Sequence, residues 1–314
     1  MSLSAVGLAA SAGWDVVVAS APYTARVYWG VDGVRELQAD ARGGRWTRIR
    51  ARASALRAYG ASAVVVLPPS FSSALPAWLA RVKTRIGFAS DGRRALLTDA
   101  VAVPSRREHL SSSYQQLVRR LGGADATRTV DARVVVDDAE RRRVTSRLAR
   151  HAVAPGGYAL VVPGAAYGPA KSWPWERYRR ACEEIARDLP VVLSGSAADR
   201  ATCDRIASGL VGVINLAGET SLGEFFALVQ SARVMVANDS GAPHVAASLG
   251  VPVVTLFGST SPAWTAPQGA RVTIVQHPVH CNPCFRRDCP TQLECFNGIE
   301  PAEVVASVRR ALSS

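Results

Sequence analysis

The chain has 314 residues, of which 48% are hydrophobic and 20% charged, and its formal net charge is +12. A single hydrophobic core rarely grows beyond about 250–300 residues, so two domains are expected. The sequence shows no low-complexity run, no apolar stretch long enough for a membrane-spanning helix and no basic opening segment typical of a signal peptide. It therefore predicts a globular protein of the cytoplasm rather than a disordered, membrane-spanning or secreted one.

Arginine carries almost all of the positive charge, because lysine occurs only at Lys83 and Lys171. The preferred interpretation is a basic, solvated surface. Attraction to an anionic membrane face or an acidic substrate ranks second, and binding of nucleic acid third. The arginines of segment 42–60 cluster on one predicted helix and form no base-stacking platform, so nucleic acid is not expected as a partner.

The first half of the chain opens with a predicted helix, "LSAVGLAASAG", and continues with short valine-rich strands that alternate with helical segments. The predicted strands are "DVVVASA", "VRELQ", "AVVVLPP", "TRIGF", "DAVAV" and "RVVVD". Nearly continuous apolar strands that alternate with helices are typical of parallel sheets covered on both faces. The expected fold class is therefore α/β.

The second half repeats this pattern and ends in a helix. Its predicted strands are "YALVVPGA", "PVVLSGS", "VINLAG", "VMVAND", "PVVTLFG" and "VTIVQHP". The segment "ARHAVAPGGY" is the natural linker, which predicts Rossmann-like domains at residues 1–150 and 151–314. The last segment, "PAEVVASVRRALSS", begins with proline at a helix N-terminus and is expected to pack back on the N-terminal domain.

The order of elements at the start of the chain departs from the usual pattern. A doubly wound domain normally begins with a strand whose following loop faces the ligand crevice. Here a helical segment comes first. The sequence thus predicts that the first strand of the N-terminal domain is missing, together with its loop.

Polar residues follow four strands of the second half. In open parallel sheets, ligands bind beyond the carboxyl ends of the strands, so these residues are the candidate ligand site. A glycine-rich turn with a lysine suits a diphosphate, and a carboxylate after the next strand could accept hydrogen bonds from ribose. The candidates are Gly164, Ala165, Lys171, Ser196, Asp199, Thr220, Asn238, Asp239, Ser240, Gly241 and His244.

Each candidate also has a structural interpretation. Asp199 and Asp239 could be helix N-caps, His244 a buried core histidine and Lys171 a surface lysine. The segment "ETSLGEF" predicts a helix capped by Thr220 or Ser221 with a glutamate three positions on. The block "NDSGAPH" favours function, because the apolar helix that follows it needs few polar groups at its start.

Two nucleotide-binding alternatives fit less well. A P-loop places lysine directly after its second glycine, whereas Pro169 and Ala170 stand between Gly168 and Lys171. "VMVAND" would have to supply the magnesium-binding aspartate of such an NTPase. A dehydrogenase is also disfavoured, because no G-x-G-x-x-G lies between a strand and a helix.

Several blocks together resemble glycosyltransferase family nine, nearest its lipopolysaccharide heptosyltransferase II branch. They are "PGAAYGPAKSWP", "LAGETSL", "NDSGAPHVAASLGVPVVTLFGSTSP" and "HCNPCFRRDCPTQLECFNGIEPAEVV". The first half is similar to the acceptor domain of that family through "LPPSFSSALPAWLARVKTRIGF" and "GRRALLTDAVAV". The resemblance covers nearly the whole chain.

The resemblance implies a GT-B fold, in which two Rossmann-like domains face a central cleft. It also implies an inverting transferase that needs no metal and moves heptose from ADP-heptose to the lipopolysaccharide inner core. Lys171 would contact the diphosphate and stabilise the leaving group, while Asp239, Ser240, Gly241 and His244 would line the phosphate and sugar pocket. Thr220 and Asp199 would face the nucleoside. Ser70, Ser73 and Arg85 would lie on the acceptor side. Peripheral contact with the cytoplasmic membrane face is expected.

The family places its general base, an aspartate, after the first strand, which in this alignment falls before Met1. The preferred interpretation is that the given sequence starts after this strand, through a misassigned start or a truncation. The alternative is a chain that has lost its base and is a catalytically silent nucleotide-sugar-binding protein.

Four cysteines, Cys281, Cys284, Cys289 and Cys295, follow a C-x2-C-x4-C-x5-C spacing. Reduced thiols that brace the loop are the preferred interpretation, and zinc is the alternative, because the spacing is looser than that of paired C-x2-C knuckles. No cofactor is expected.

Overall fold

The architecture is taken from a computed structural model that describes residues 1–37, 43–123 and 133–313. The chain divides into two compact units, Met1–Arg133 and Val134–Ser314. Among the helices in the described ranges, none combines the length and apolar composition that a bilayer crossing requires.

The first unit carries five helices and five strands in its described ranges. In chain order they are α1 (Leu3–Ser11), β1 (Val17–Val18), α2 (Pro22–Ala25), β2 (Arg35–Glu36), α3 (Arg45–Tyr59), β3 (Ala63–Val66), α4 (Phe71–Leu79), β4 (Thr84–Phe88), β5 (Asp99–Val101) and α5 (Leu110–Arg119).

Parallel pairing organises the first unit, as the sequence predicts. Strands β3, β4 and β5 form one parallel sheet, and β1 pairs with β2 in another. Helix α1, where the described chain begins, packs on α5 through Ala5 and Leu8. Leu117 of α5 in turn lies against Ile86 of β4, so that the helices cover one face of the sheet.

The second unit holds the larger sheet. Its elements are α6 (Asp138–Ala149), β6 (Ala159–Val162), α7 (Trp175–Ile185), β7 (Val191–Leu193), α8 (Arg200–Ala207), β8 (Val213–Asn215), α9 (Leu222–Gln230), β9 (Val234–Asn238), α10 (Gly241–Ser248), β10 (Val253–Phe257), α11 (Pro262–Thr265), β11 (Val272–Gln276), α12 (Glu294–Asn297) and α13 (Pro301–Ser313).

The order of the second sheet is β11-β10-β9-β6-β7-β8, and every pairing is parallel. All six strands predicted in the second half are present. Strand β6 comes first in sequence and lies beside both β7 and β9. The chain therefore leaves β6 in one direction across the sheet and returns on its other side, which creates a topological switch point between β6 and β9.

The strand predicted at "RVVVD" is wrong. Residues 133–137 form no strand and pair with no strand among the described residues. Val134 and Val136 are buried while Val135 is 47% exposed, so the alternation that predicts a strand is present. The Val134 N–H instead donates to the Ser248 hydroxyl at 3.0 Å, and a side chain takes the place of a neighbouring strand.

The observed division after Arg133 also differs from the predicted boundary at 150/151. Helix α6 accounts for the difference, because it packs against α9 in the second unit. Asp137 caps α6 in a capping box with Glu140, and Arg143 Nε donates to Glu224 Oε1 at 2.8 Å. These contacts join α6 to the unit that follows it in sequence.

The last helix, α13, makes its main contacts within the second unit, with α7 and with strands β9, β10 and β11. Val304, Val305 and Val308 form its buried face. The expected helix is present, and its apolar stripe covers the second sheet.

Candidate functional site

The centre of the candidate site is an ion pair at the switch point. Lys171 follows β6 and Asp239 follows β9, and Lys171 Nζ lies 2.6 Å from Asp239 Oδ2. The side chains are only 13% and 5% exposed. Because β6 and β9 are neighbours, two residues 68 positions apart in sequence meet at one edge of the sheet. The structure thus brings together the two charged residues of the sequence-predicted blocks.

Two threonines complete the environment of Asp239. The hydroxyl of Thr260 donates to Asp239 Oδ2 at 2.6 Å, and that of Thr265 donates to the same oxygen at 3.1 Å. Asp239 Oδ1 receives no hydrogen bond from the described residues. Sequence reasoning missed both threonines, although Thr260 follows β10, and the strand-end rule applied to β10 would have found it.

Asn238 lies in the wall of the site rather than in its opening. Its side chain is fully buried, and its Oδ1 accepts hydrogen bonds from the Trp173 N–H at 3.1 Å and the Tyr178 hydroxyl at 3.0 Å. Its Nδ2 donates to the Pro163 carbonyl at 2.7 Å. With its amide occupied on both sides, Asn238 ties the Lys171 loop to β9 and positions Asp239.

The loop between β6 and α7 differs from a P-loop. Lys171 ends a 3-10 turn, Pro169–Lys171, whereas α7 begins at Trp175. In a P-loop the lysine sits at the start of the helix and the helix N–H groups point at the phosphate. Here Lys171 lies four residues before α7, and its ammonium pairs with Asp239, two residues before the start of α10.

A contact with the cysteine-bearing loop holds this lysine loop. Arg287 Nε donates to the Tyr167 carbonyl at 2.8 Å, and the Ala170 N–H donates to the Arg287 carbonyl at 3.0 Å. Gly168 has φ +153°, and a Cβ there would lie 2.6 Å from the Arg287 carbonyl oxygen. Only glycine fits this approach. The Tyr167 ring lies under both Lys171 Nζ, at 5.5 Å, and the Arg287 guanidinium, at 5.6 Å.

The start of α10 presents backbone donors. Ser240 is the N-cap residue but makes no side-chain capping bond, which leaves the N–H groups of Gly241 and Ala242 without an intrahelical acceptor. Gly241 is exposed and a Cβ there would meet nothing within 4 Å, so the space beside Gly241 is open. His244 lies half-buried in the same turn. Asp239 is not the cap of this helix.

Asp199 lies at the end of a 3-10 turn, Ala197–Asp199, after β7. Its Oδ2 accepts from the Ser196 N–H at 2.8 Å and the Ser196 hydroxyl at 2.7 Å, so it closes a local capping box. Its Oδ1 receives no hydrogen bond from the described residues. A Cβ on Gly164 would lie 2.5 Å from that oxygen, so the glycine makes room for the carboxylate beside the half-buried Ala165.

The capping box predicted before α9 is present, with Ser221 as the cap. Its hydroxyl accepts from the Glu224 N–H at 3.2 Å, and Glu224 Oε2 accepts from the Ser221 N–H at 2.9 Å. Thr220, the alternative cap, is half-buried and its side chain makes no hydrogen bond with the described residues. The loop that carries Thr220 is adjacent to the loop that carries Asp199, since the Gly218 N–H of the first donates to the Gly195 carbonyl of the second at 2.9 Å.

The three acceptor-side candidates make hydrogen bonds within the first unit. Arg85 Nε donates to the Leu96 carbonyl at 2.7 Å. Ser70 and Ser73 lie at the start of α4, and the Ser73 hydroxyl accepts from Arg93 Nη1 at 2.9 Å. Arg93 has no exposed surface and also donates to the Phe88 carbonyl at 2.8 Å. This buried arginine, unrecognised in the sequence, organises the ends of β3 and β4.

The four clustered cysteines are free thiols, as expected for reduced cysteines. The Cys289 thiol lies 3.3 Å from the Thr291 hydroxyl, and hydrogen bonds from that hydroxyl and from nearby N–H groups lower the Cys289 pKa. Across residues 1–37, 43–123 and 133–313, no group of three or more His, Cys, Asp or Glu side chains is arranged to hold a metal ion.

Solved structures of similar fold match both units. The heptosyltransferase II of Escherichia coli has a TM-score of 0.78 at 24% identity and covers 99% of this chain and 94% of its own. A glycosyltransferase family 9 protein of Veillonella parvula has a TM-score of 0.81 at 18% identity, with 100% and 95% covered. These likenesses confirm the predicted GT-B fold class.

Sequence comparison gives the family. The lipooligosaccharide heptosyltransferase 2 of Haemophilus influenzae is 30% identical over 223 residues, 68% of this chain and 64% of that protein. The lipopolysaccharide heptosyltransferase 2 of Salmonella typhimurium is 31% identical over 225 residues, 67% and 64% respectively. The chain thus spans slightly less than two thirds of these relatives. A model of glycosyltransferase family 9 (heptosyltransferase) matches residues 49–294. The chain belongs to glycosyltransferase family 9.

Proposed function

We propose that the protein is an inverting glycosyltransferase that moves a heptose from ADP-heptose to the inner core of lipopolysaccharide. The observation that carries the proposal is the buried Lys171–Asp239 pair beside the open start of α10. The names of the Haemophilus and Salmonella relatives, both heptosyltransferases, supply the substrate class.

In this proposal Lys171 and α10 receive the diphosphate. The N–H groups of Gly241 and Ala242 lie at the positive end of the helix dipole, which favours an anion. As the bond from the sugar to the β-phosphate breaks, negative charge grows on the departing ADP. Lys171 is already oriented and largely dehydrated, so it can stabilise this charge without further reorganisation.

Asp239 has two tasks here. Its Oδ2 holds Lys171 in position together with the threonine hydroxyls, while its Oδ1 remains able to accept a hydrogen bond from the donor sugar. The nucleoside would lie toward Asp199 and Thr220, where Asp199 Oδ1 can accept from a ribose hydroxyl. Charge neutralisation in this arrangement comes from lysine and backbone N–H groups, and the proposed reaction needs no metal.

Calorimetry with ADP, followed by turnover assays with ADP-heptose and lipopolysaccharide inner-core acceptors with and without a first heptose, in the presence of a chelator, tests the proposal. We expect ADP to bind and heptose to be transferred. Binding without turnover would instead support a silent nucleotide-sugar-binding protein. Magnesium-dependent release of phosphate from ATP would support an NTPase.

We further propose that the protein works in the cytoplasm and touches the inner face of the inner membrane through α3. This helix buries only Ile49 and Ala53, contains no acidic residue, and presents Trp46 with 65% of its surface exposed. Its five arginines are Arg45, Arg48, Arg50, Arg52 and Arg57. Basic side chains with an exposed tryptophan suit an anionic lipid surface.

Co-sedimentation with vesicles tests this contact. We expect binding to phosphatidylglycerol vesicles at low salt, none to phosphatidylcholine vesicles, and loss of binding in the double variant Arg48→Glu, Arg50→Glu. The matched control carries the same charge change on exposed arginines of α6 and its end, Arg142→Glu and Arg150→Glu. Equal binding by both double variants would argue against α3 as the contact.

A further inference from the structure

A small cavity behind the lysine loop gathers all four clustered cysteines. Its volume is about 20 Å³, close to the space that one water molecule needs. Cys281, Cys284, Cys289 and Cys295 line it together with Ala170 and Ser259. Cys281 is exposed and Cys284 and Cys289 are half-buried, so small molecules can reach the thiols from solvent.

Two of these thiols differ in chemical character. Hydrogen bonding by Thr291 lowers the pKa of Cys289, which increases the fraction present as the reactive thiolate. Cys295 is only 6% exposed, and burial raises its pKa, as does the charge of a Cys289 thiolate. A reactive, accessible thiol thus lies near a buried, protonated one.

The cavity also offers a hydroxyl that no described residue uses. Ser259 is 2% exposed, and its Oγ has no hydrogen-bond partner within the described part of the chain. An unpartnered buried hydroxyl is costly unless a water or another small polar molecule occupies the adjacent space. The cavity can therefore hold such a molecule beside the cysteines.

The cysteine loop is coupled to the lysine loop. Ala170, which directly precedes Lys171, forms part of the cavity wall and donates its N–H to the Arg287 carbonyl at 3.0 Å. Arg287 lies two residues before Cys289 and also holds the Tyr167 carbonyl at 2.8 Å. A change in the backbone at Cys289 therefore acts on the segment that positions Lys171.

We propose that this cavity is a peroxide-sensitive dithiol site in which Cys289 and Cys295 form a reversible disulfide. The Cys289 thiolate attacks one oxygen of a hydroperoxide. The O–O bond breaks, the second oxygen leaves as water or an alcohol after taking a proton, and Cys289 becomes a sulfenic acid. The Cys295 thiol then attacks the sulfenic sulfur, and water leaves as the S–S bond forms. The two thiols supply the two electrons that reduce the peroxide.

The disulfide draws Cys289 toward α12 and moves Arg287, which loosens its contacts with residues 167–170. The affinity for a nucleoside diphosphate then falls. This consequence rests on the proposed function, whereas the oxidation itself does not.

Peptide mapping tests the oxidation on the full chain treated with hydrogen peroxide. Trypsin places Cys289 and Cys295 in one peptide, Asp288–Arg309, and Cys281 and Cys284 in another, Val272–Arg286. We expect the first peptide to become two hydrogens lighter and resistant to alkylation, with full reversal by dithiothreitol. Cys289→Ser should abolish the change, and the matched control Cys284→Ser should retain it.

Three results would overturn the proposal: a cross-link between the two peptides, thiols that stay reduced in peroxide, or a stoichiometric bound metal that protects them.

Calorimetry with ADP tests the coupling. We expect the oxidised protein to bind about fivefold more weakly, within the usual range for coupled sites, and reduction to restore binding. Unchanged affinity of the disulfide form would refute the coupling. A reduced protein that does not bind ADP at all would refute the proposed function and leave the peptide result standing.

Discussion

Replacing Lys171 by methionine removes the charge at the centre of the site and keeps a side chain of similar length. Lys171 Nζ and Asp239 Oδ2 are 2.6 Å apart in a site where the two side chains are 13% and 5% exposed, so water screens the lysine charge poorly. A charge-assisted hydrogen bond in such surroundings contributes about 1.5–3 kcal/mol. We therefore expect the ADP dissociation constant of Lys171→Met to rise about tenfold to a hundredfold.

Turnover should fall further than binding, because charge on the departing diphosphate is larger in the transition state than in bound donor. Loss of one such stabilising group typically costs about 10²–10³ in kcat. The fold should survive, because Thr260 and Thr265 still donate to Asp239. We expect unfolding to become easier by about 1–3 kcal/mol, less than the roughly 3–5 kcal/mol that an entirely stranded buried charge costs.

Calorimetry, steady-state kinetics and thermal melting measure these three effects. The matched control is Lys83→Met, since Lys83 is the only other lysine and is exposed. A companion variant, Asp239→Asn, keeps the cation and removes the nearby negative charge, so it should bind ADP at least as tightly as the wild type while losing turnover. A folded Lys171→Met protein with wild-type ADP affinity and kcat would refute the role assigned to Lys171.

Three further predictions concern the surroundings of the site. Asn238→Ala removes three buried hydrogen bonds at about 1 kcal/mol each, so the Tm should fall by about 6–12 °C. A fall in Tm of less than about 2 °C would contradict the structural role assigned to Asn238. Gly164→Ala places a Cβ 2.5 Å from Asp199 Oδ1 and should lower both Tm and ADP affinity. In the matched control, Gly241→Ala, the Cβ meets nothing within 4 Å, so Tm should stay unchanged. Equal Tm losses in the two variants would argue against close packing at Gly164. The pKa of Glu224 is lowered in the folded protein: burial alone would raise it, but the Ser221 N–H and the neighbouring arginines outweigh burial. The stability from this carboxylate is present above its unfolded pKa of about 4.3 and is lost as the pH falls through the lower native value. The Tm advantage of wild type over Glu224→Gln should therefore hold from about pH 7 to about pH 5 and shrink toward about pH 3. A pH-independent difference would oppose this assignment.

Most of the candidate site was predictable because a parallel sheet places the ends of its strands at one edge. Lys171 and Asp239 each follow an apolar run, and the strand-end rule selects both from the sequence. The rule does not tell which side chains turn inward. Asn238 is polar and lies at the same strand end as Asp239. Its side-chain amide nevertheless hydrogen-bonds to Trp173, Tyr178 and the Pro163 carbonyl.

Segment 133–137 shows why the local pattern was insufficient elsewhere. Its alternating valines satisfy the strand pattern, but a strand also needs a neighbour for its backbone, and a serine hydroxyl serves that purpose here. Helix α6 was assigned to the wrong side of the domain boundary for a similar reason. Its packing partner, α9, lies more than 70 residues later in the chain.

The sequence by itself determined the α/β class, the six parallel strands of the second unit and the resemblance to glycosyltransferase family nine. These features follow from short-range periodicity and from blocks of adjacent residues, which a single chain displays directly. The tertiary structure decided which side chains share a space. It joined Lys171 to Asp239 and added Thr260 from the loop after β10 and Thr265 from α11. It also buried Arg93 among carbonyls and placed the four cysteines around one cavity with Ala170. Such contacts depend on strand order, because the connection from β8 to β9 crosses the sheet and places β9 beside β6, which brings distant residues to one point.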